Sequence, residues 1–173
     1  MNLVLKATQF AALKHRDQKR KDGKTPYIIH PISVAMILAE IGGVDDPEIL
    51  SAALLHDTIE DTDTSAQELD KEFGSRIRII VEELTDNNQL TISQRKQLQI
   101  DNAPHLSKDA TLIKIADKIS NVSDVIKTPP PKWGQKRCND YVDRAEAVIN
   151  NCQKVNQDLE NHFFGLLTDY RKS

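Results

Sequence analysis

Apolar positions recur at three- and four-residue intervals along most of the chain. In residues 2–19, Leu3, Leu5, Ala7, Phe10, Ala11 and Leu13 follow the spacing of a helix with one face in a core. A polar break, KRKDGKTP over 19–26, follows. Pro31 then opens PISVAMILAE, where Ile32, Ala35, Met36 and Ala39 share a side, and Gly42-Gly43 closes it. Proline at a helix start and glycine beyond its end is the expected polarity. Asp46-Pro47 predicts a cap and a first helical residue for EILSAALLHDT, which is almost wholly apolar until His56.

Thr64 with Gln67 three residues on predicts a capping box for a helix ending near Gly74. Ser75 starts the next, with Ile77, Ile80, Val81 and Leu84 facing inward. Residues 91–126 predict two further helices, the second carrying Leu112, Ile115, Ile119, Val122 and Ile126 at helical spacing. Pro129-Pro130-Pro131 ends it and forms a stiff connector. Residues 137–169 predict one or two amphipathic closing helices. No strand-period alternation, internal repeat or low-complexity tail is present. The expectation is one all-α domain over 1–173, with a core of about 3–127 and closing helices at about 133–170.

Composition narrows the function classes. Of 173 residues, 39% are apolar but only 5% aromatic, so the core is built from aliphatic side chains, which suits packed helices better than a sheet sandwich. The net charge of −3 argues for neither nucleic acid nor an anionic membrane as partner. A phosphate site would therefore need a local basic cluster. Cys138 and Cys152 form no CxxC pair and read as reduced thiols of a cytoplasmic protein. The amino-terminal segment lacks the pattern of a signal peptide, and no apolar run is long enough to span a membrane.

The chemistry concentrates in ALLHDTIEDTD, residues 53–63. A nearly uncharged helix there presents His56, Asp57, Glu60, Asp61 and Asp63. His56 and Glu60 are four apart, as are Asp57 and Asp61, so each pair would stack on one face of a continuous helix. Clustered acids repel one another, and a divalent cation would compensate; a solvated acidic helix end is the plainer alternative. His30 stands in YIIHP and Asp117 in KIADK among aliphatics. A carboxylate so placed needs a partner or a metal when buried, and a surface salt bridge to Lys114 or Lys118 is the alternative. Together His30, His56, Asp57 and Asp117 offer two imidazoles and two carboxylates, a set suited to Mn, Fe, Zn or Co better than Ca or Mg. Arg20 and Lys21, in the basic run before His30, and Arg137 could grip a phosphate, and a solvated loop is the alternative for the basic run. Asn121, four residues after Asp117, would share its helical face.

The chain resembles the hydrolase half of the RelA/SpoT homologue family, and particularly its stand-alone small alarmone hydrolases, the metazoan SpoT homologues among them. Four blocks carry the resemblance: HRDQKRKDGKTPYIIHP (15–31), AALLHDTIEDT (52–62), KIADKISN (114–121) and TPPPKWGQKRCNDYVDRA (128–145). It implies an all-helical HD fold with manganese held by His30, His56, Asp57 and Asp117. It implies that Glu60 and Asp61 activate or position the attacking water, and that Tyr141 sits over the nucleotide. The implied reaction removes pyrophosphate from the ribose 3′ position of ppGpp or pppGpp. The chain departs from the family at Ser120, which replaces a larger residue, at Ser123, which replaces an arginine, and at Arg144, where small relatives often carry tryptophan. These departures bear on base preference and keep two other substrates open: adenosine alarmones, and NADPH cut at its 2′-phosphate. A non-catalytic alarmone sensor is the reading from a different class, and the presence of all four ligands and both acids counts against it. The sequence carries no signal of oligomeric state.

Overall fold

The computed structural model describes residues 2–172 and is built from helices. Helix α1 (Leu3–Lys14) is capped by Asn2, whose side chain accepts from the N–H groups of Val4 and Leu5. A loop carrying the basic run leads to α2 (Ile29–Glu40), α3 (Pro47–Leu55), the single turn α4 (Thr58–Asp61), α5 (Ala66–Phe73) and α6 (Ser75–Leu84). Then come α7 (Ile92–Asn102), a short 3-10 turn (Ala103–His105), α8 (Lys108–Lys127), α9 (Gln135–Asn151) and α10 (Gln157–Lys172). The all-α expectation holds.

Helix α3 is the centre. Ile49 and every residue from Ser51 to Leu55 are buried, and the helix packs against α1, α2, α6 and α8. A helix that is apolar on all sides has to be enclosed in this way. The 20-residue α8 is the second axis, burying Ile113, Ile115, Ile119 and Val122, and it packs against α2, α9 and α10. Phe163 of α10, Leu38 of α2 and Leu159 of α10 complete the core without solvent exposure. The turn after α2 requires glycine twice over. Gly43 has φ +62, and a Cβ on Gly42 would come within 2.8 Å of the Leu38 carbonyl and 3.1 Å of Leu159.

Several boundaries differ from expectation. Helix α2 begins at Ile29, two residues before Pro31, so His30 lies inside its first turn. Proline is tolerated there because the amides of a first turn have no helical partner. The cap of α5 is Ser65, which accepts from Glu68, one residue later than the predicted Thr64–Gln67 pair. The Thr64 hydroxyl instead lies 2.7 Å from that of Thr62. A full capping box occurs at Thr91 and Gln94, at the head of α7. The predicted helix through residue 57 is interrupted: α3 stops at Leu55, and α4 restarts at Thr58.

Candidate metal centre and active-site cavity

That interruption builds the site. The His56 ring Nδ1 lies 2.7 Å from the Ala53 carbonyl, and the Thr58 hydroxyl donates to the Leu55 carbonyl at 2.7 Å. Side chains thus take carbonyls that a continuing helix would need, and the backbone turns at Asp57 (φ −96, ψ −2). On an unbroken helix His56 and Asp57 would diverge by about 100°. Here both side chains face one point, which the expectation of stacked pairs on one straight helix did not contain.

His30 from α2 and Asp117 from α8 meet them there. The His30 Nε2 is 3.1 Å from Asp117 Oδ1 and 3.6 Å from Asp57 Oδ2; the His56 Nε2 is 3.1 Å from Asp57 Oδ2 and 3.7 Å from Asp117 Oδ1. Three segments far apart in the chain therefore converge. Both imidazoles are buried, and the carboxylates are nearly so.

The residues fit a divalent cation. Because the His56 Nδ1 faces a carbonyl, it carries the ring proton. Its Nε2 is then a lone pair aimed at two carboxylates, and it is a buried atom without a hydrogen-bond partner despite the short distance to Asp57. Burial resists a positive charge on His56, but Asp57 and Asp117 outweigh it and raise its pKa well above the usual range. That pressure calls for positive charge between Nε2 and the carboxylates. A divalent cation shared by the imidazoles and the carboxylates would supply it. Burial likewise disfavours charge on Asp117, yet Lys118 and His30 hold its carboxyl well below the ordinary value.

The surroundings orient these groups. The Ser120 hydroxyl is 3.0 Å from the His30 Nδ1, so one of the departures from the family pattern fixes the ring that aims at Asp117. Asn121 donates to Asp117 Oδ1 at 2.6 Å. Tyr27 donates to Asp57 Oδ2 at 2.7 Å and lies 3.2 Å from Asp61 Oδ2. Sequence reasoning did not single out Tyr27; its signal was its place in YIIHP, three residues before His30.

Glu60 and Asp61 lie on the turn just past Asp57, and one carboxylate oxygen of each falls within 4.8 Å of the others. Their backbone is pinned, since Gln18 donates to the Asp61 carbonyl and Asn88 to that of Glu60. Glu60 accepts from the Asp86 amide at 2.8 Å. Burial, reinforced by the charges of Asp86 and Asp57, pushes Glu60 up to about 7, in the range of a base working near neutrality. Burial and Asp57 also raise Asp61.

A cavity of about 370 Å³ opens over these groups, ample for a nucleotide. Its walls include Lys21, Tyr141 and Asn121, as expected from sequence, and also Lys114 and Lys118, which flank Asp117 on α8. Lys118 lies 3.6 Å from Asp117 Oδ2. The sequence alone suggests both lysines only as salt-bridge partners of Asp117. Burial, aided by Arg20 and Lys118, lowers Lys21 to about 8, and its ammonium lies over the Tyr141 ring at 4.6 Å. Two expected substrate ligands are placed differently. Arg20 lines the cavity but is engaged, donating to Asn121 at 2.9 Å and to Asp124 at 2.8 Å. Arg137 lies outside the lining, with its guanidinium 4.5 Å from the Trp133 ring. Ser123 is half-buried and likewise lines no part of this cavity.

Residues 7–142 match a family model described as HD domain. The chain is 46% identical over 166 residues to the guanosine-3′,5′-bis(diphosphate) 3′-pyrophosphohydrolase MESH1 of Xenopus tropicalis, covering 94% of this chain and 93% of that protein. It is 47% identical to its human counterpart over 91% of this chain and 88% of that one. A solved structure described as a metazoan ortholog of SpoT that hydrolyzes ppGpp superimposes with a TM-score of 0.94 at 39% identity, covering 98% and 96% of the two chains. The convergence of His30, His56, Asp57 and Asp117 from three helical segments, and these matches along nearly the whole chain, place it in one family: the chain belongs to the HD-domain proteins of the RelA/SpoT homologue group.

Proposed function

We propose that the chain is a manganese-dependent guanosine-3′,5′-bis(diphosphate) 3′-pyrophosphohydrolase that converts ppGpp or pppGpp to GDP or GTP and pyrophosphate. The observation that carries the reading is the unpartnered Nε2 of His56 facing Asp57 and Asp117, with the Glu60–Asp61 pair on the adjoining turn. The activity for which the relatives are named supports the substrate. His30, His56, Asp57 and Asp117 would hold the metal. Their two nitrogens and two oxygens suit Mn²⁺, and Fe²⁺, Co²⁺ and Zn²⁺ accept the same ligands. When bound, such an ion polarises a phosphoryl oxygen and lowers the pKa of water.

The chain's own residues do the rest. Glu60 takes a proton from the attacking water, whose oxygen bonds to the inner phosphorus of the 3′-diphosphate. The bond from phosphorus to the ribose 3′ oxygen breaks, and that oxygen takes up a proton. Asp61 and Tyr27 fix the position of Asp57 and of the water. Lys21, Lys114 and Lys118 offset the charge of the phosphates, Tyr141 packs against the nucleotide, and Asn121 orders Asp117 beneath the ribose. Arg20 acts by holding Asn121, and Arg137 supplies charge at the rim. We further propose that residues 1–173 work as one unit in the cytoplasm, since α9 and α10 both pack on α8, the helix that carries Asp117; among the described residues no helix is long and apolar enough to cross a membrane.

The discriminating experiment compares turnover of ppGpp, its adenosine counterpart and NADPH by the manganese-loaded protein, with products identified by chromatography. Preferential conversion of ppGpp to GDP and pyrophosphate is expected. An equal or reversed preference would replace guanosine alarmone as the substrate, and binding of all three without turnover would favour a sensor.

A further inference from the structure

Beside the metal centre lies a smaller cavity of about 170 Å³, walled by Lys96 of α7, Lys118 of α8 and Arg144 of α9 and floored by Val148. It shares Gln99, Lys118 and Tyr141 with the larger cavity, so the two have a common wall. Lys118 is the join, 3.6 Å from Asp117 Oδ2 and 3.2 Å from Gln99 Oε1. Among the described residues, no carboxylate pairs with Lys96 or Arg144. Burial lowers the pKa of Lys96, and the neighbouring charges acting on it are Arg144 and Arg137, both repulsive. Other arginines show the contrast: Arg76 contacts Asp46, Glu48 and Asp109, and Arg171 contacts Asp143 and Glu146. A chain of net charge −3 whose described residues offer Lys96 and Arg144 no carboxylate, beside the candidate metal centre, has a place for an anion.

The geometry points to an anion subsite at Lys96, Lys118 and Arg144 that takes the outer phosphate of a ribose 3′-diphosphate; this rests on the pyrophosphohydrolase reading above. Lys118 stands next to Asp117 and lines both cavities, so an inner phosphate at the metal centre directs the outer one toward the adjoining cavity. On hydrolysis the outer phosphate stays in this subsite as part of the pyrophosphate product. The subsite therefore selects a diphosphoryl over a monophosphoryl group at the reacting position, which disfavours a dinucleotide bearing a single 2′-phosphate.

The test is calorimetric binding to manganese-loaded Glu60→Gln protein, which slows turnover, with and without Arg144→Ala or Lys96→Ala. Three guanosine ligands are compared: 5′-diphosphate 3′-diphosphate, 5′-monophosphate 3′-diphosphate, and 5′-diphosphate 3′-monophosphate. Losing a charge-assisted contact to phosphate weakens binding roughly 10- to 100-fold. That loss is expected for both 3′-diphosphates, with the 3′-monophosphate changed less than about threefold, the scale of an exposed charge. A loss that follows the 5′-diphosphate instead, or equal losses on all three, or none, overturns the assignment. Inorganic pyrophosphate and orthophosphate, titrated with Mn²⁺ in excess, separate the two readings. If Arg144→Ala weakens pyrophosphate alone while no nucleotide binds, the proposed substrate fails and the subsite stands.

Discussion

Replacing Asp86 by asparagine should move the acid limb of the pH–rate profile downward. Glu60 serves as a base only when ionised, so kcat/KM rises with pH through its pKa, and one unit below that midpoint the rate is about a tenth of its plateau. Burial is the first cause of Glu60's elevation to about 7, and the charge of Asp86 is the second. The Asp86 amide is 2.8 Å from Glu60 Oε1, which puts the two carboxylates roughly 7 Å apart by ordinary side-chain reach. At an effective dielectric of roughly 40 to 80, that repulsion is about 0.6 to 1.2 kcal/mol, or about 0.4 to 0.9 of a pH unit. Asparagine keeps the backbone N–H that Glu60 accepts from and can still accept from Gln99, whose amide donates to Asp86 at 2.5 Å. The bound metal lowers the limb in both proteins, so the difference between them carries the test. Initial rates of pyrophosphate release from pH 5.5 to 9 measure it. An unmoved limb, or one moved upward, would refute Glu60 as the titrating base.

Other substitutions probe separate parts of the site. Ser120→Ala removes the hydroxyl that orients His30 and should weaken metal affinity about 10- to 100-fold, read by competition with a fluorescent chelator; unchanged affinity would deny Ser120 that role. Glu60→Gln should lower kcat by about 10²- to 10⁴-fold with metal content unchanged by elemental analysis, and loss of metal would make Glu60 a ligand. Phe163→Ala empties a fully buried site in α10 and should cost about 3 to 5 kcal/mol in denaturant unfolding; a cost below about 1 kcal/mol would mean that α10 is not part of the cooperative core.

Much of the fold was legible because helical spacing and capping are local signals. Asp46-Pro47, Gly42-Gly43 and the polar loop at 19–26 all mark real boundaries. The four candidate metal ligands and the acidic pair stand out in the motif blocks, and the structure brings them together. What stayed hidden depends on competition between side chain and backbone, or on distance. The break at His56 arises because an imidazole and a hydroxyl take the Ala53 and Leu55 carbonyls, and apolar periodicity does not register such a contest. The start of α2 before Pro31 reflects the tolerance of a first turn for proline. Arg20 reads as a free cation in its basic run, yet Asp124, which engages it, lies on α8 in the folded chain. Tyr27 and Lys114 join the site only through packing of α2 and α8 against α3.

The most direct measurement is release of pyrophosphate and GDP from ppGpp by protein stripped of metal, before and after addition of Mn²⁺. Activity that is absent from the stripped protein and restored by Mn²⁺, with pyrophosphate and GDP formed in equal amounts, is the predicted result. Equal release with and without metal, or orthophosphate in place of pyrophosphate, would contradict it.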